Sequence, residues 1–172
     1  MKSIFTLKNT QRALLAAGLI AATSSALATA VTTTFQVQAT VNALCSVSAV
    51  NLAFGPVNPL ATQTDATTTV TVNCTKNSPY TVGLDAGTVT GTTIATRKMA
   101  NGVDIMNYNL YTDIGRATVW GNSGVAPTWV SGTGAGMQSA QVLTVYGRVT
   151  AGQSNLAVGT YTEPIITVTV TY

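Results

Sequence analysis

The sequence predicts an all-β fold, a sandwich of short strands joined by turns, and three observations predict it. No segment keeps a 3.6-residue apolar period, whereas several runs alternate apolar and polar residues with the period of two that marks a half-buried strand. Glycine, proline and asparagine signals separate those runs at short intervals, the spacing expected of a sandwich. Charged residues are only 8% and hydrophobic residues 46% of the 172 residues, with Thr, Val, Gly and Ala abundant, which favours packed β structure over disorder.

Residues 1–30 read as a secretory signal peptide. Lys2, Lys8 and Arg12 give a basic start, and Ala13 to Ala22 form an apolar core shorter than the roughly 20 residues a membrane span needs. Ala26-Leu27-Ala28 and Ala28-Thr29-Ala30 both fit a small-residue cleavage site, after Ala28 or after Ala30. The formal charge of +3 resides in this leader. Residues 31–172 hold five basic and five acidic side chains, a balance of zero, so the chain presents no basic surface for nucleic acid.

Residues 31–41 form the first strand-like run. Val31, Phe35, Val37, Ala39 and Val41 are apolar at odd positions, with Thr33 the exception, and Thr32, Thr34, Gln36, Gln38 and Thr40 are polar at even ones. Such a terminal strand pairs within its own domain, stays frayed, or pairs with a neighbouring molecule. Cys45 to Phe54 follows as a second run, closed by Gly55-Pro56 and Asn58-Pro59. Ala66 to Thr75 comes next, with Val70, Val72 and Cys74 on one face. The two cysteines, Cys45 and Cys74, form a disulfide in an exported chain, the rival being two buried thiols.

Tyr80 to Asp85 is a short strand with Tyr80, Val82 and Leu84 on one side. Residues 88–103 are turn-rich, and Asn101-Gly102 is a hairpin signal. Ile105 to Thr112 places Met106, Tyr108 and Leu110 together, and Thr118-Val119-Trp120 follows. Residues 121–136 read as a long flexible loop. Its Gly-Thr-Gly-Ala-Gly at 132–136 lacks the spacing and the lysine of a phosphate loop. Gln141 to Val149 and Ile165 to Tyr172 are the last two runs, the latter alternating Ile166, Val168, Val170 and Tyr172 with threonines behind Glu163-Pro164. Counted from Cys45 this makes about six core strands, where a full immunoglobulin-type sandwich has about seven. Neither Val31–Val41 nor Ile165–Tyr172 contains a lysine or proline to blunt its edge, so both invite strand pairing.

Several motifs then carry a family resemblance over the length of residues 31–172. They are the alternating strand before Cys45, Val72-Asn73-Cys74-Thr75, Tyr80 to Gly87, and Tyr108 to Asp113. Arg116 with Val119-Trp120-Gly121, Tyr146-Gly147-Arg148, and Gly159-x-Tyr161-x-Glu163 complete the set. In this order they resemble the spore coat protein U-like domain of archaic chaperone–usher pilus (fimbrial) subunits, with Glu163 where that family more often has Asp.

The resemblance implies an incomplete immunoglobulin-like sandwich, residues 42–172, completed by a donor strand from another chain. It assigns Phe35, Val37, Ala39 and Val41 of the 31–41 extension as donor residues. Ile166, Val168, Val170 and Tyr172 become the acceptor groove and chaperone contact, the Tyr172 carboxylate an anchor for basic chaperone residues. The implied partners are a periplasmic chaperone, an outer-membrane usher and further pilus subunits, and the implied destination is a surface pilus serving attachment and biofilm formation.

Two rival functions stand beside this one. An enzyme is disfavoured by the absence of histidine and of G-x-S-x-G, and two cysteines do not make a zinc site, so no catalytic residue, metal or cofactor is expected. A self-contained carbohydrate- or surface-binding adhesin would use Trp120, Trp129, Tyr108 or Tyr111 to stack on sugar rings, although core packing is the commoner role of such side chains.

Overall fold

The computed structural model describes residues 28–58, 60, 62–122 and 129–172. The expected leader, 1–30, lies almost wholly outside the described residues. The chain divides into two units, Met1–Ala39 and Thr40–Tyr172. In the first, the described residues form no strand and are exposed.

The second unit is all-β among its described residues, with eight strands in two sheets. They are β1 (Cys45–Ala49), β2 (Thr64–Cys74), β3 (Pro79–Leu84), β4 (Arg97–Asn101), β5 (Asp104–Tyr111), β6 (Val130–Thr133), β7 (Gln141–Val149) and β8 (Val168–Thr171). One sheet runs β1-β2-β7-β5-β4 and the other β6-β3-β8, with every pairing antiparallel.

The alternation read in the sequence sets the inward faces. Val70, Val72 and Cys74 from β2, Tyr80, Val82 and Leu84 from β3, and Met106, Tyr108 and Leu110 from β5 are all buried. Val145 and Val149 from β7 and the side chain of Trp120 join them. Trp120 ties the sheets together, its indole Nε1–H donating to Val82 O at 2.9 Å and its backbone N–H to Leu110 O at 2.9 Å.

Cys45 and Cys74 stand opposite each other in the β1–β2 register and are joined by a disulfide. The Asn101-Gly102 signal is the β4–β5 hairpin. Asn101 pairs with Asp104, and Gly102 takes the positive φ of 62° that a two-residue loop requires at its first position.

Two strands exceed the expected six. β4 lies in the stretch read as turns. It shows no clear alternation because Arg97, a charged residue, is its most buried member. β6 lies in the stretch read as a flexible loop. There Gly132 admits the Tyr80 ring, which a β-carbon would meet. Gly134 donates to Ser78 O at 2.7 Å and accepts from Asn77 N at 2.8 Å, so the glycine run is packed against the β2–β3 turn. Two other runs pair over shorter spans than expected: Cys45–Phe54 leaves its ladder after Ala49, and Ile165–Tyr172 pairs only from Val168 to Thr171. The architecture is an immunoglobulin-like sandwich, three strands facing five, with β8 paired on one side only among the described residues.

Candidate functional site: an apolar groove beside an unpaired strand edge

Arg97 positions the upper part of the sandwich. It is fully buried, and its guanidinium donates to Asp85 O, Ile94 O, Asn109 Oδ1, Leu84 O and Trp120 O at 2.6–3.5 Å. Burial lowers its pKa to about 10, which leaves it charged at neutral pH. Four of the five acceptors are backbone carbonyls from three separate segments, so one side chain fixes the end of β3, the turn before β4 and the Trp120 backbone. Nothing in the pattern of a chain this poor in charge marked Arg97 as special.

β8 hangs from β3 through the Thr81–Thr171 to Leu84–Val168 register. Its lead-in is held as firmly. Thr167 donates to Asp85 Oδ1 at 2.9 Å, and Asp85 N–H donates to Thr167 O at 3.0 Å. The Glu163 carboxylate accepts from Thr88 Oγ1 at 2.8 Å, Val89 N–H at 3.0 Å and Ile165 N–H at 3.1 Å. Partial burial pushes the Glu163 carboxyl up, and these donors outweigh it and hold its pKa below the usual carboxylate range. Gly87, at φ 92°, lies directly against this carboxylate, where a β-carbon would stand 2.6 Å from Oε2. Glu163 thereby clamps the segment leading into β8 to the Gly87–Val89 turn.

Beside this edge a cleft lies over the inner face of the five-stranded sheet. Val70, Val145, Tyr108 and Met99, from four of its strands, floor a cavity of about 480 Å³ walled by residues 49–52 with Phe54 and by residues 161–166 with Val168. A second cavity of about 700 Å³ continues it past Val57 and Leu156. Leu52, Phe54, Met99, Tyr161 and Thr162 line both, so the two are lobes of one groove. Among the residues lining it, Glu163 alone is charged. The Phe54 ring meets Tyr108 edge to face at 6.0 Å between centroids. Burial raises the Tyr108 phenol pKa strongly, so the floor stays neutral across the working pH range. Val47, whose register partner is the buried Val72, is nonetheless 41% exposed, as expected of an inward residue at an unfinished edge.

The sequence-assigned residues fall in different places. Ile166 and Val168 are half-buried and line the groove. Val170 is half-buried against the core through its pairing with Val82, and Tyr172 is exposed. Phe35, Val37, Ala39 and Val41 are exposed, 81–86% for the three large ones. Of the aromatics considered for sugar stacking, Trp120 and Tyr108 are core residues at 1% and 5% exposure, and Tyr111 is half-buried. Trp129 is exposed. Groove residues that sequence reasoning did not single out include Leu52, Phe54 and Met99, and Tyr161 was named only within the Gly159-x-Tyr161-x-Glu163 motif. Leu52 and Phe54 share a parity within the run 45–54, which was the available signal.

Beyond the groove, Arg116 and Arg148 meet on one carboxylate. Arg148 grips Asp65 with both Nε and Nη2, at 2.7 and 2.8 Å, and Arg116 reaches the same carboxylate at 3.2 Å. The hydrogen bond from Arg148 keeps the Asp65 carboxyl below its ordinary value. Arg116, at φ 56°, also donates to Gly147 O and stands over the Tyr146 ring.

Comparison with known proteins fits this geometry. A family model described as the Spore Coat Protein U domain matches residues 31–171. A search of curated proteins returned no match. One solved structure similar in fold is the CsuC–CsuE chaperone–tip adhesion subunit pre-assembly complex from archaic chaperone-usher Csu pili of Acinetobacter baumannii. Its TM-score is 0.52 at 20% identity, over 77% of this chain and 40% of that one, so this chain spans well under half of that chain's length. The extent of the family match settles the classification: the chain belongs to the Spore Coat Protein U domain family.

Proposed function

We propose that the protein is a structural subunit of a surface pilus, polymerised by strand donation between copies. The observation that carries this reading is the open apolar groove beside the unpaired edge of β8. A β-strand laid along that edge becomes a fourth strand of the smaller sheet. It satisfies the free backbone groups of β8 and fills the groove above the floor at once.

Residues 31–41 have the chemistry of such a strand. Phe35, Val37, Ala39 and Val41 lie at a spacing of two and so point to one face, and each large apolar side chain buried contributes on the order of 1.5–3 kcal/mol. The donor of one copy fills the groove of the next, with Ile166 and Val168 as the wall it meets and Val170 and Tyr172 continuing the strand it pairs with. Before polymerisation a periplasmic chaperone lends a strand to the same groove, the Tyr172 carboxylate meeting its basic residues, and an outer-membrane usher exchanges that strand for the donor. The route is export to the periplasm behind a cleaved leader, then the cell surface, where the fibre serves attachment and biofilm formation. The similarity to a subunit held in a chaperone pre-assembly complex supports this route.

Deleting residues 31–41 tests the reading. The truncated subunit remains bound to its chaperone and does not polymerise. Fibres of normal length from the deletion would overturn it.

A further inference from the structure

The two ends of the sandwich differ, and the difference bears on how copies meet. At one end lies the disulfide. Cys45 pairs with Cys74, and a short turn leads to β3, whose first residues oppose Thr171. Leu44 and Met137 are exposed there, at 55% and 39%, and Met137 O accepts from Asn73 Nδ2. At the other end Thr64 pairs with Val149 and Val149 with Tyr108, and the β4–β5 hairpin projects beyond them. Gly159 packs against Asn101 at the hairpin tip; its chain neighbour is Val158, and the hairpin loop carries Val103. These two valines are fully or almost fully exposed, at 104% and 94%. The groove runs between the two ends, from the β8 side past Val57 and Leu156.

Strand donation, on which this inference rests, constrains the contact between copies. Only residues 42–44 separate Val41 from the first residue of β1, and the four steps between them span at most roughly 14 Å. The donor's disulfide end therefore sits wherever Val41 leaves the acceptor's groove. A donor antiparallel to β8, the commoner pairing, leaves at the hairpin end. The reverse orientation would bring the donor's body to the acceptor's disulfide end, from which the acceptor's own donor segment departs, and the two would compete for that space.

We infer that the Val103–Val158 end of each copy seats against the Leu44–Met137 end of the copy that donates to it. The occupant is thus a second copy of this chain, the contact is apolar on both sides, and it stiffens the joint between successive subunits.

Cross-linking of intact fibres tests this. The described cysteines are both in the disulfide, so introduced thiols react alone. The full chain carrying L44C and V158C is assembled with its chaperone and usher and treated with a short bis-maleimide. A control pair, I114C with V158C, uses Ile114, exposed on the flank of the larger sheet. A covalent ladder that survives boiling in detergent, from the first pair and absent from the control, is the expected result. Fibres without a ladder from L44C/V158C, or with equal ladders from both pairs, would overturn the end-to-end contact and leave strand donation standing. Failure of the unsubstituted chain to form fibres would overturn strand donation and this contact with it.

Discussion

The backbone of Gly147 lies against Leu52 so closely that a β-carbon at 147 would stand 2.5 Å from Leu52 Cδ2 and 2.9 Å from Phe54 Cζ. Glycine in the middle of β7 is therefore what lets the wall of residues 49–54 settle onto the larger sheet and keep the groove open. Gly147→Ala pushes both side chains toward the groove. Overpacking of this kind costs roughly 1–3 kcal/mol. The expected outcome is a lower unfolding midpoint and weaker uptake of a synthetic 31–41 peptide, measured by denaturant titration and by fluorescence anisotropy of the labelled peptide. Unchanged peptide uptake would show that Leu52 and Phe54 do not border the donor site.

Arg97 is the polar centre of the fold. Lys has three donors on a point charge and cannot reach five acceptors spread over separate segments. Arg97→Lys leaves buried carbonyls of Leu84, Asp85 or Trp120 unpaired, at about 1–3 kcal/mol for each unmet group. A denaturation curve should place the variant at least about 2 kcal/mol below the parent. A loss under about 0.5 kcal/mol, the size of an ordinary surface change, would mean that the network is not needed.

Acid weakens the protein through Glu163 and Asp65. Both have folded pKa values held below their unfolded ones, 4.5 and 3.8, so their contribution is present above those values and is lost as the pH falls through the folded values. Melting temperature should be flat near neutrality and drop below about pH 4.5. Glu163→Gln removes part of that slope and costs about 1 kcal/mol at neutral pH. A variant with the same acid slope as the parent would show that the clamp on the segment before β8 does not depend on the carboxylate charge.

Reducing the disulfide frees β1. The bond closes a loop of sequence separation 29, and in the chain-entropy model its loss costs roughly 3–4 kcal/mol. Thermal melts with and without reductant should separate clearly, with Cys45→Ser matching the reduced parent. Coincident melts would assign the β1–β2 ladder enough stability to hold this edge alone.

Much of the fold was legible because one face of each long strand is buried. Val70-Val72-Cys74, Tyr80-Val82-Leu84 and Met106-Tyr108-Leu110 wrote the inward faces into the sequence, the Asn101-Gly102 hairpin was an equally local signal, and the only two cysteines left one pairing for the bridge. β4 and β6 were not legible. β4 buries an arginine whose partners are distant carbonyls, and β6 is held by what Gly132 and Gly134 admit, namely Tyr80 and the β2–β3 turn. Of the residues assigned in the last strand, Ile166 and Val168 line one wall of the groove. The other wall was not legible, because Leu52 and Phe54 pack beyond the end of β1, where no ladder continues the pattern.

The proposed donation gives the smaller sheet its missing strand from residues 31–41. It is tested most directly by comparing thermal melts of two proteins. One is the domain trimmed of residues 31–41, and the other is the same domain with those residues re-attached after Tyr172 through a short flexible linker. The re-attached protein is expected to be a monomer that melts cooperatively and far above the trimmed one, with Val37→Asp in the re-attached strand removing the gain. Equal melting temperatures for the trimmed and re-attached proteins would contradict the donation.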